Sequence, residues 1–157
     1  MIKNQLKLTA LIHDRLSNVM NFVYARKPLE KMVSERFSGN WMYLNKSLFD
    51  VSEEKAIQSL LELALFFRIL DDEEQISSKL KNQNFDCGVL HTKVDGQKSL
   101  DARSVANKII HSEYFDFDLD YLPEPVIRCH CSDPSEKWVL AEIELYKFAG
   151  LCALLVS

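Results

Sequence analysis

The sequence predicts a mainly helical protein, all-α in class: an up-and-down bundle of four to five helices with a small β-hairpin before the C-terminal helix. Three observations lead there. Glycine and proline number four each in 157 residues, under half the roughly 12% that an average chain carries, so long stretches lack helix-breaking residues. Apolar side chains recur at three- and four-residue steps along those stretches. The length, with 47% hydrophobic and 27% charged residues, suits one globular core. With no internal repeat, low-complexity stretch or linker, residues 1–157 are expected to form a single domain.

From Gln5 to Arg26, the residues Leu8, Leu11, Ile12, Val19, Met20 and Val23 mark one face of an amphipathic helix. Pro28 is expected to end it and to open a short second helix carrying Leu29, Met32, Val33 and Phe37, closed by Ser38-Gly39. Trp41 to Phe49 reads as a helical or turn-like connector. Asp50, with Glu53 three residues on, has the form of a capping box. From there to Leu70 the pattern is apolar on more than one face, as in a helix at the centre of a bundle. Asp71-Asp72-Glu73-Glu74 then reads as a solvated connector rather than a metal site, since hard cations need oxygens converging from several segments.

Residues 77–98 are the least regular. Asp95-Gly96 is a turn signal, which makes Leu90 to Val94 a short strand or an exposed arm. A helix beginning near Ser99 carries Leu100, Val105, Ala106, Ile109 and Ile110 as its buried stripe. Tyr114 to Tyr121 alternates apolar and acidic residues and reads as extended; Pro123 and Pro125 confirm that the helix is over. Residues 133–143 admit two readings. Asp133-Pro134-Ser135-Glu136 has the form of a helix start, with Trp138, Ala141, Leu145, Phe148 and Cys152 on one face. Ser132 to Glu136 equally suits the loop of a hairpin between Val126–Cys131 and Trp138–Ile143. Both readings place a helix from Glu144 to about Leu155.

Charge and motif content exclude several functions. With 19 basic and 23 acidic residues the net charge is −4, the wrong sign for whole-protein attraction to a phosphate backbone, so nucleic acid requires a local basic pocket. Cys87, Cys129, Cys131 and Cys152 without a secretory signal point to reduced thiols and a cytoplasmic location. The most apolar stretch, Ala56 to Leu70, is interrupted by Gln58, Glu62 and Arg68 and is too short and polar to span a bilayer, so no membrane association is expected. Neither a glycine-rich phosphate loop nor a nucleophile motif can be written, and no cofactor is expected. Cys129-His130-Cys131 gathers soft ligands without a second pair at zinc spacing. In a strand the two thiols share one face and the imidazole the other, so core packing is expected of the cysteines rather than metal binding.

Arg103, Asn107 and His111 are spaced four apart and fall on one helix face. A guanidinium, an amide and an imidazole in line suit a phosphodiester: Arg forks onto phosphate, Asn orients an oxygen, and His moves the proton. Lys108 and Tyr114 lie within reach as binding residues. The competing reading is a solvated helix face whose histidine favours the helix dipole.

The segment Leu100-Asp101-Ala102-Arg103-Ser104-Val105-Ala106-Asn107-Lys108-Ile109-Ile110-His111-Ser112 resembles the signature helix of the HEPN superfamily (higher eukaryotes and prokaryotes nucleotide-binding domain). Asn107 and His111 match the motif's polar residue and histidine. The chain departs from the family at Ala106, which stands where the motif has arginine, and at Arg103, which leaves seven residues before His111. The resemblance implies a compact helical bundle acting as a homodimer, either a metal-independent ribonuclease or an RNA-binding protein of toxin–antitoxin or phage-defence type with an antitoxin-like protein partner. His111 would then be the acid/base or phosphate ligand, Asn107 its orienting group and Arg103 a displaced anion-binding group. The alternative is a non-catalytic member whose Arg103–His111 face serves as an interface for a protein or a nucleotide.

Overall fold

Five strands pair into one antiparallel sheet, and this overturns the all-α reading: the protein is a mixed helix-and-sheet structure, not a helical bundle with a small hairpin. The computed structural model describes residues 2–37, 39, 42–120 and 124–157. In chain order the elements are α1 (Ile2–Arg36), α2 (Met42–Asn45), α3 (Val51–Glu74), α4 (Ile76–Lys81), β1 (Gly88–Thr92), β2 (Gln97–Ser99), α5 (Ala102–Ile110), β3 (Tyr114–Asp118), β4 (Val126–His130), β5 (Trp138–Glu144) and α6 (Leu145–Leu154). A π-helical turn, Lys46–Asp50, joins α2 to α3. Ser38 and Trp41, at the edges of the expected helix stop and connector, and Tyr121 and Pro123 of the expected extended stretch, lie outside the described residues.

The N-terminal half is a helical hairpin. Pro28 does not break α1. It and Tyr24, whose carbonyl loses its helical partner to the proline ring, are both exposed, so water can serve the freed oxygen. α3 packs along α1 through Val19, Leu60 and Leu63, each fully buried, and burial of such a side chain is worth about 1.5–3 kcal/mol. Arg15 pairs with Glu62, and Asn18 donates to Ser59 at 3.0 Å, along the same seam. Asp50 makes no capping bond, because the π turn delivers a backbone already helical at that residue. The Asp71–Glu74 run is not a connector but the last turn of α3, with Asp71 only 4% exposed. Gln75, at φ +54°, then turns the chain into α4.

The sheet runs β2-β1-β5-β4-β3, so β1 lies beside β5 although four elements of chain separate them. Asp95-Gly96 turns β1 into β2 as the sequence implies, with Thr92 N–H donating to the Gly96 carbonyl at 2.8 Å. Residues 133–143 resolve as part of the hairpin: Cys131 to Lys137 form the loop, and Trp138 starts β5. Gly88 allows β1 to meet β5 closely, since at φ +150° an added Cβ would lie 2.0 Å from the Glu142 carbonyl oxygen.

One sheet face is apolar and packs on the helices. Phe115, Cys129, Ala141 and Leu90 share one cross-strand row, and Phe117, Ile127 and Ile143 the next. Ile109 and Val105 of α5 and Leu151 of α6 join these residues in the core. The other face is polar, with Asp116, Arg128 and Glu142 in one row and Tyr114, His130, Leu140 and His91 in another. Among the described residues, no helix is long and apolar enough to cross a membrane.

Candidate functional site

α5 is the element on which the sequence concentrates its chemistry, and its start is well specified. Asp101 accepts the Ser104 amide hydrogen bond at 2.8 Å, Val105 and Ile109 enter the core, and the polar residues are left on the flanks. Those polar residues are distributed among separate partners. Arg103 Nη1 donates to Asp71 Oδ2 at 2.8 Å and to Asp72 Oδ1 at 2.6 Å. Asn107 accepts through Oδ1 from Arg68 Nη1 of α3. Lys108 reaches the other way, with Nζ 4.7 Å from the centre of the Trp138 ring. Tyr114 stacks on His130 at 4.3 Å and 6°. His111 caps the C-terminus of α5 and is exposed. Arg103, Asn107 and His111 thus share a helix face without a described side-chain hydrogen bond among them; the His111 amide donates to the Asn107 carbonyl at 3.0 Å as part of the helix backbone.

The Arg103 pairs line a polar cleft of about 420 Å³ between the end of α3, α4 and α5. Asp71, Asp72 and Asp101 outnumber Arg103 and Lys81 there, so the cleft repels anions. Burial pushes the Asp71 carboxyl up, but the Ser77 amide, the Arg103 guanidinium and the Ser77 hydroxyl outweigh it and hold it below the usual carboxylate range.

The polar sheet face is internally paired. Arg128 bridges Asp118 at 2.8 Å and Glu142 at 3.3 Å. His91 Nε2 meets Glu142 at 2.7 Å, and His130 Nε2 meets Asp116 at 2.6 Å. These are cross-strand pairs of the kind that stabilise sheets. Cys129 and Cys131 are buried on the core side, and His130 points away from them. No group of three metal-ligating side chains occurs among the described residues.

Lys108 belongs to a different site. The β1–β2 turn and the β4–β5 loop stand side by side, joined where Lys93 N–H donates to the Lys137 carbonyl at 2.9 Å. A register shift between His91 and Thr92 bends β1 at this point. The two loops and the last turn of α5 border an open cavity of about 780 Å³, most of whose lining residues are exposed, within the range of small-ligand sites. Lys93, Lys98, Lys108 and Lys137 line it, with Asp95 and Glu136 as the carboxylates among the described lining residues, which gives a balance of +2 in a chain whose net charge is −4. Lys93 donates to the Asp133 carbonyl at 2.9 Å and Lys98 to Asp95 at 3.0 Å. Lys108 and Lys137 have no carboxylate partner among the described ion pairs. Trp138, 2% exposed, lies beneath Lys108, and its indole N–H is sealed from solvent with no acceptor. The cavity was missed in the sequence because its lysines come from three segments. The Asp-Gly turn was the one local signal for it. Comparison with protein-family models, curated proteins and solved structures finds no match for this chain.

Proposed function

We propose that the protein binds RNA through the lysine-lined cavity beside Trp138, and that α5 contributes a binding lysine rather than a cleavage centre. One observation carries the reading: four lysines from three segments converge on a concave site with a local charge of +2, the basic pocket that a chain of net charge −4 needs to hold phosphate. The likeness of residues 100–112 to the HEPN signature helix supports RNA as the phosphate carrier. Cleavage from α5 has less support. Arg103, the anion-binding member of the expected set, is already neutralised by Asp71 and Asp72.

The test is fluorescence anisotropy of a labelled single-stranded RNA titrated with the protein at low salt. Binding is expected for the wild type, with a loss of at least about tenfold in a Lys108→Glu, Lys137→Glu double variant of unchanged circular dichroism, since each lost phosphate contact weakens an electrostatic complex. Equal binding by the two proteins sinks the proposal. RNA recovered from the same samples in EDTA should be full length. Cleavage abolished by His111→Ala would return catalysis to α5.

A further inference from the structure

Resting on the RNA-binding reading of the same cavity, we infer that the site selects the end of a chain, a terminal phosphomonoester, over internal phosphodiesters. The first argument is charge. A phosphomonoester carries about −1.5 to −2 near neutral pH, whereas a diester carries a single negative charge. Two of the four lysines are already engaged, Lys98 by the Asp95 carboxylate and Lys93 by the Asp133 carbonyl. Lys108 and Lys137 remain as the two whose ammonium groups have no described hydrogen bond or carboxylate partner, and a dianion matches them.

The second argument is direction. Lys108 approaches from the helix side and Lys137 from the β4–β5 loop, so the bound group is contacted from separate segments. A monoester presents three terminal oxygens to such donors and a diester two. The ammonium of Lys108 also lies low in the cavity, against a tryptophan that is almost wholly buried. A terminal group can project down to it. A chain interior would have to enter and leave between the two loops.

Val94, Pro134 and Leu90 supply apolar wall beside these cations. Val94 is 89% exposed at the turn, so it stands free to pack against the terminal nucleoside. The cavity therefore provides an apolar wall and a cationic floor, which are the two halves of one nucleotide unit.

The experiment compares RNA oligonucleotides of one sequence carrying a 5′-phosphate, a 3′-phosphate or hydroxyls at both ends, by anisotropy competition. Preference of about tenfold or more for a phosphorylated end is expected, and it should vanish in a Lys108→Gln, Lys137→Gln variant of unchanged thermal midpoint. The preference should also shrink below about pH 6 as the monoester dianion is protonated to the monoanion. No histidine is among the described lining residues, whose titratable groups are the four lysines, Asp95 and Glu136. Equal binding of all three oligonucleotides overturns the chain-end inference and leaves RNA binding standing. Failure of all three overturns both. A nucleoside 5′-monophosphate that competes as well as the phosphorylated oligonucleotide keeps the monoester and removes RNA as its carrier.

Discussion

Arg103 of α5 is tied at 2.8 Å to Asp71, a carboxylate of α3 that is 4% exposed. The pair gives an arginine on a helix face with Asn107 and His111 a structural partner: its charge answers one that α3 has buried. Asp71 in turn accepts from the Ser77 amide at 2.6 Å and the Ser77 hydroxyl at 2.8 Å, which fastens the start of α4. Replacing Arg103 with Met keeps the stem but leaves Asp71 without its counter-charge. A loss of about 1–3 kcal/mol is expected, the cost of an under-satisfied buried group that keeps two of its hydrogen bonds. Urea unfolding checks it, and RNA affinity should not change.

The same carboxylate sets an acid limit. Asp71 is held below the usual carboxylate range in the folded chain, the amide of Ser77 and Arg103 overcoming the effect of burial. A depressed folded value means that the unfolded chain binds the proton more readily, so the stability is present above about pH 4 and lost as pH falls. The urea midpoint of the wild type should drop from about pH 5 downward. In Asp71→Asn that drop should be shallower, from a lower starting stability. An identical acid profile for the two proteins would remove Asp71 from the account.

Local pattern carried much of this fold, and long-range pairing carried what it missed. The α5 stripe of Val105, Ala106 and Ile109, the Asp95-Gly96 turn and the terminal helix follow from neighbouring residues, and each is present. The sheet does not. Scarce Gly and Pro point to helix, yet an antiparallel sheet whose neighbouring strands β1 and β5 are separated by four elements of chain needs few of either. The Cys129-His130-Cys131 alternation shows a strand without showing that its partners are Trp138 to Glu144 and Tyr114 to Asp118. The site follows the same division. Lys108 was visible on α5, but Lys93 and Lys137 reach it only through the β1–β5 pairing.

That pairing depends on one missing side chain. Gly88 sits at φ +150°, where a Cβ would meet the Glu142 carbonyl oxygen at 2.0 Å, a backbone atom that cannot swing aside. Gly88→Ala must therefore push β1 away from β5 or shift both strands. A loss of about 2–4 kcal/mol is expected from overpacking together with the unfavourable backbone angle. Amide exchange should rise in β1 and β2 before it rises in α1 and α3. A variant as stable as the wild type would contradict the close approach.

Cys87, Cys129 and Cys152 set a limit at high pH; burial protects all four cysteines. All are buried: Cys87 and Cys129 at 0%, Cys152 at 2% and Cys131 at 5%. Burial pushes the thiols of Cys87 and Cys152 up to about 12, and that of Cys129 up as well. At pH 8 the thiolate fraction of the first two is then on the order of one in ten thousand, against about a quarter for an unperturbed thiol. A thiol-disulfide reagent should leave the native protein unlabelled over minutes and count four thiols in urea. The sign for stability is opposite to that of Asp71. The folded chain keeps protons that the unfolded chain releases above about pH 8.5, so stability is full below that value and falls as pH rises. Each of the three raised thiols contributes a slope of up to about 1.4 kcal/mol per pH unit, and urea midpoints between pH 8 and 10 measure their sum. Cys152→Ala should lower the stability at pH 7 and flatten that decline. A decline of unchanged steepness would mean that Cys152 ionises as freely in the folded chain as in the unfolded one.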